Sequence, residues 1–143
     1  KYRGAYNASK FALEGLTDTL RQELDGSNIH ISLIEPGPIK SRFRENAYQA
    51  FLDNIDTENS VHKQVYTAVK NRLGKTTEQR KQDPFTLGPE AVVDKLIHAL
   101  ESKKPKARYY VTFPTYLFAI LRRILPTSIL DKILCRVSDD ENK

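Results

Sequence analysis

The first 38 residues hold a helix-forming stretch, a glycine turn and a short apolar run ending in Pro-Gly-Pro. Few folds accommodate that succession. From Asn7 to Asp25 the apolar residues Ala8, Phe11, Ala12, Leu16, Leu20 and Leu24 recur at three- and four-residue steps, which predicts an amphipathic helix. Gly26, with Ser27 and Asn28, predicts its end, and Gly15 inside it suggests close approach of another backbone. Ile29, Ile31, Leu33 and Ile34 predict a β-strand over 29–34, stopped by Pro36, Gly37 and Pro38. A helix, a tight turn and a mostly buried strand make half of a parallel α/β unit.

The rest of the chain continues that logic. Residues 42–82 pattern as polar helices, with Phe43, Tyr48, Phe51, Leu52 and Ile55 as one apolar set and Val61, Val65, Val69 and Leu73 as another. A lid or substrate loop and a plain helical insertion are equal readings of this segment. "LGPEAVVDKLIHALES" predicts a helix with Pro89 near its first turn and Ala91, Val92, Leu96, Ile97 and Leu100 on its buried face. "RYYVT" predicts a second strand over 108–112, and residues 114–137 predict two short amphipathic helices broken at Pro126. Acidic "SDDENK" predicts a disordered end.

Composition narrows the function classes. A chain of 143 residues, 39% hydrophobic and 29% charged, fits one globular domain or a piece of one. Its lack of methionine, even at position 1, points to a piece. One cysteine, Cys135, excludes an internal disulfide and favours a reducing compartment. His30, His62 and His98 are too scattered to form a metal site with it, so none is expected. The net charge of +5 comes from dispersed basic residues interleaved with acids, which argues against nucleic-acid binding. No apolar run approaches the ~18 residues of a spanning helix.

Tyr6 and Lys10 stand four residues apart, so they share a face of the first helix. An unassisted phenol titrates near 10 and moves protons poorly at neutral pH. A cation about 5 Å from a phenol, at an effective dielectric near 20, favours phenolate by roughly 3 kcal/mol, or about two pKa units. Such a pair can carry a proton to or from a substrate oxygen. The spacing alone is common on helices, so its chemical weight comes from context.

That context is "AYNASKFALEGLTDTLRQEL", a strand, then "PGPIKS". It resembles the short-chain dehydrogenase/reductase family over nearly its whole length, with Tyr6, Lys10, Pro36, Gly37 and Ser41 at the family's motif positions. The family more often has threonine where Ser41 stands. The resemblance implies an α/β fold, a Rossmann-like doubly wound parallel sheet, of which 1–143 is the C-terminal portion. It implies Tyr6 as general acid/base and Lys10 as the cation that tunes the phenol and hydrogen-bonds the nicotinamide ribose. It also implies that the Pro36–Ser41 turn, through the Ile39 backbone and the Ser41 hydroxyl, holds the carboxamide of NAD or NADP.

The glycines at 4, 15, 26, 37, 74 and 88 are too widely spaced for a phosphate-binding loop. The family's catalytic serine, about a dozen residues before the tyrosine, has no room ahead of Tyr6. The nucleotide-binding half is therefore expected upstream, and this chain alone is expected to be inactive. Segment 42–88 becomes a substrate loop or lid and 114–137 a pair of tail helices. The expected activity is NAD(P)-dependent interconversion of a lipophilic alcohol and its carbonyl, such as an aldehyde, retinoid or steroid. NADP is slightly favoured, in a cytoplasmic setting with homodimer formation through the Tyr6 helix. Two rivals stand beside it: a non-catalytic family member, and a module that meets a membrane surface peripherally through 114–137.

Overall fold

The computed structural model describes residues 1–75 and 83–141. In chain order its elements are α1 (Gly4–Glu23), β1 (Leu33–Glu35), α2 (Phe43–Asn54) and α3 (Lys63–Gly74). They continue with α4 (Glu90–Glu101), β2 (Arg108–Tyr110), α5 (Phe113–Ile124) and α6 (Thr127–Glu141). Two compact units form, one from residues 1–39 and 85–124, the other from 40–84 and 125–143.

The first unit is built on a parallel pair. β1 and β2 run in the same direction with Ile34 opposite Tyr109, as the α/β reading requires. The pair is shorter than the predicted strands over 29–34 and 108–112. Leu33 N–H donates to Ala107 O at 2.9 Å, but before Ala107 the partner chain is the Lys103–Lys106 loop with its proline. Ile29 and Ile31 consequently have no ladder there, whatever their β propensity. At the other end Val111 N–H donates to Glu35 O at 3.1 Å, and Pro36 then stops β1. Beyond that point Thr112 is fully buried, and its carbonyl accepts the Thr115 N–H as α5 begins.

Packing departs from periodicity on both helices of this unit. α1 covers the predicted stretch and ends as expected, with Gly26 in the left-handed region at φ 78°. Its best-buried residue is nevertheless Thr17, with Glu14, Asp18 and Arg21 half-buried beside it. Phe11 and Leu16 of the apolar stripe are exposed, Leu16 to 58%. A Cβ added at Gly15 would meet nothing, so the close backbone approach that glycine suggested is not made here. On α4 the half-buried residues are Ala91, Val92, Lys95 and Ala99, while Leu96, Ile97 and Leu100 face outward. Tyr109, 4% exposed, is the core's apolar centre, its hydroxyl accepting from Lys106 N–H and meeting His98 Nδ1 at 2.9 Å. Local periodicity reports which faces are apolar; what covers them is a separate matter.

In the second unit α2 packs on α3, with Phe51 edge-on to Tyr66 at 6.0 Å between ring centres. This matches the helical reading of 42–82, of which 76–82 lie outside the described residues. Val61 leaves its predicted apolar set, being 95% exposed in the link before α3. The chain breaks at Pro126 as expected, but α6 runs on to Glu141, so Ser138 and Asp139 are helical rather than disordered. Among the described residues no helix is long and apolar enough to cross a membrane, and no acidic, histidine or cysteine group is arranged to hold a metal ion.

Candidate functional site

The first two turns of α1 carry the proposed chemistry. Tyr6 and Lys10 fall on one face because 3.6 residues complete a turn, and Lys10 Nζ lies 5.4 Å from the centre of the Tyr6 ring. Tyr6 is 49% exposed, so its phenol is accessible. Ser9, inside the same motif, donates its hydroxyl to the Tyr6 carbonyl at 2.7 Å, a local helix bond. No carboxylate pairs with Lys10 among the described residues, so its charge faces the ring and solvent.

The strand-ending turn lies in the same unit. Gly37 has φ 74°, and a Cβ built there would collide with the hydroxyls of Thr112 and Thr115, which stand 3.0 Å from each other. Glycine is therefore demanded twice, by backbone conformation and by space. Gly37→Ala in the full-length protein is expected to cost roughly 2 to 4 kcal/mol, from the left-handed penalty and overpacking together. Urea denaturation checks this; an unchanged midpoint would contradict the packing of the turn.

After the glycine, Ile39 forms a parallel bridge with Leu87, closed by Leu87 N–H donating to Pro38 O at 3.2 Å. That bond does not use the Ile39 amide. Ser41 belongs to the second unit, where its hydroxyl accepts the Phe43 N–H at 3.4 Å just before α2. Tyr6 and Lys10 are thus brought together, Pro36, Gly37 and Ile39 share their unit, and Ser41 falls in the other.

A charged cluster on the first unit carries no sequence motif. Arg108 of β2 donates to Asp18 Oδ2 at 2.8 Å, with Glu14 Oε2 at 3.9 Å and Glu35 Oε1 at 3.5 Å from the same guanidinium. The Arg108 hydrogen bond, helped by Arg21, holds the Asp18 carboxyl below its usual range. Asp18 therefore contributes stability at neutral pH that is lost only as pH falls through its depressed folded value. Glu35 shifts the other way: burial, then the Glu14 charge, raises its pKa. Its Oε1 is buried with no hydrogen bond, which adds to the cost of its charge. Glu14 and Asp18 at i and i+4 were visible in the sequence, but a cation 90 residues away leaves no local signal.

The model of the short chain dehydrogenase family matches residues 1–51, the stretch holding both the Tyr6–Lys10 pair and the strand-ending turn. The chain belongs to the short-chain dehydrogenase/reductase family. Across 132 residues, 92% of this chain, it is 48% identical to the "Uncharacterized oxidoreductase YbbO" of Escherichia coli K12. It is 35% identical over 130 residues to the "NADPH-dependent 3-dehydrocapnine reductase" of Ornithobacterium rhinotracheale. Against the rat "17-beta-hydroxysteroid dehydrogenase type 6" the identity is 30% over 142 residues. The chain spans less than half the length of these relatives, 42% of the first and 43% of the other two. As a short-chain dehydrogenase/reductase segment, its helix-rich α/β architecture with a parallel sheet is that of a partial Rossmann-like domain.

Proposed function

We propose that this chain is the proton-transfer half of an NAD(P)-dependent reductase that interconverts a lipophilic alcohol and its carbonyl. The observation that carries the reading is the Tyr6–Lys10 pair, a phenol with a cation 5.4 Å from its ring centre on a half-exposed helix face. The donors of the first unit suit a nicotinamide nucleotide: an ammonium at Lys10 for ribose hydroxyls and an amide at Ile39 outside the Leu87 hydrogen bond. When bound, that cofactor supplies or accepts the hydride. Tyr6 gives its phenolic proton to the carbonyl oxygen in the reducing direction and takes the alcohol proton in the other. Lys10, with its ammonium beside the ring, offers positive charge to the phenolate left behind.

The relatives' names guide the choice of substrate class. One relative is named as an NADPH-dependent reductase and another as a hydroxysteroid dehydrogenase. In this reading segment 42–88 is the substrate loop or lid, and 114–137 forms tail helices. The experiment is an assay of the full-length protein with NADPH and NADH against long-chain aldehydes, retinal and ketosteroids. Oxidation of NADPH with at least one lipophilic carbonyl is expected, with short polar aldehydes poorer. Tight cofactor binding with no turnover on any carbonyl would favour the non-catalytic alternative.

A further inference from the structure

We propose that Arg108 is a positioning residue, clamping the helix that bears Tyr6 and Lys10 to the strand end that carries the Pro36–Gly37 turn. The inference rests on the reading of Tyr6 and Lys10 as the proton-transfer pair. Arg108 lies on β2, the strand paired with β1. It donates to Asp18 on α1 at 2.8 Å and lies 3.5 Å from Glu35, the last residue of β1 and the neighbour of Pro36. Its side chain is 19% exposed, and Glu14, one turn before Asp18, adds a third carboxylate at 3.9 Å.

Stability alone does not account for this arrangement, although the Arg108 bond to Asp18 contributes some. Apolar replacement of a part-buried ion cluster is often neutral or stabilising, because desolvation offsets the attraction. Here the offset is visible in the Glu35 oxygen, buried without a hydrogen bond. A planar guanidinium instead supplies geometry, since its fork can engage carboxylates on two elements at once. The consequence for chemistry follows from leverage. Tyr6 lies twelve residues before Asp18, about 18 Å along the helix axis. A tilt of about 5° at the clamp displaces the phenol by roughly 1.5 Å, enough to cost turnover heavily in a proton transfer. Lys10, eight residues away, moves less. Losing the clamp should therefore reduce kcat more than cofactor affinity.

The test uses the full-length reductase with Arg108→Met, Arg108→Lys, Asp18→Asn and Tyr6→Phe, each measured for kcat, cofactor Kd and Tm. Arg108→Met is expected to lower kcat about tenfold or more while cofactor Kd changes less than about threefold. Arg108→Lys should recover part of the loss, because a point charge holds one carboxylate but not the fork geometry. Asp18→Asn should fold normally and show a smaller fall in kcat with the same Kd, so it carries the test if Arg108→Met does not fold. A lowered Tm with unchanged kcat per folded molecule in these variants would overturn the clamp and leave a purely structural ion cluster. If Tyr6→Phe is inactive while the Arg108 and Asp18 variants turn over normally, only the clamp fails. Near-normal turnover of Tyr6→Phe would remove the catalytic reading on which it rests.

Discussion

Tyr6→Phe in the full-length protein is expected to lower kcat by a factor of roughly 10² or more while leaving cofactor binding nearly intact. The substitution keeps the ring that faces Lys10 and removes the phenolic hydroxyl that carries the proton, so the ring–cation contact survives. Lys10→Met has the opposite profile. It removes the ammonium proposed for the nicotinamide ribose, so cofactor Kd should rise about tenfold or more, in line with losing a charged hydrogen bond of roughly 1.5 to 3 kcal/mol. Its kcat should fall as well, because the phenolate loses its stabilising charge. Steady-state kinetics with a fluorescence titration of the reduced cofactor separate these effects. A Tyr6→Phe enzyme with near-normal turnover would end the acid–base assignment, and a binding role for the fold would then be the better account.

The 143-residue chain expressed by itself is expected to lack reductase activity and a cooperative melt. Among the described residues, Tyr109, 4% exposed, is the one buried apolar side chain, whereas Phe11, Leu16, Ile97, Leu100, Ile120 and Ile124 lie exposed. Ile124 is 72% exposed on α5, a helix whose other residues are mostly apolar. The two-stranded sheet leaves backbone donors and acceptors along its edges, which invite pairing between chains. Such a chain gains too little from burial to offset the entropy of ordering it. Thermal unfolding by circular dichroism and binding of a hydrophobic dye give the readout. Broad, dye-positive melting and concentration-dependent aggregation are expected; a sharp two-state transition with no dye binding would contradict the prediction.

The sequence by itself determined the local events. It placed the helix around Tyr6 and Lys10, the left-handed glycine after it, the strand stopped by Pro36 and the break at Pro126, because each depends on nearby residues and their backbone preferences. The Tyr6–Lys10 contact was legible for the same reason, since helical geometry alone brings residues four apart together. Tertiary structure decided the strand lengths, because a ladder extends only as far as its partner, and Ala107 and Pro36 mark where that partner ends. It also decided that α1 turns Thr17, Glu14 and Asp18 towards the sheet instead of its Phe11–Leu16 stripe. The demand for glycine at 37 gained its second cause from Thr112 and Thr115, far along the chain. Arg108 illustrates the limit most clearly: its link to Asp18 spans 90 residues, and an interaction between side chains so distant in sequence exists only once β1 and β2 have paired.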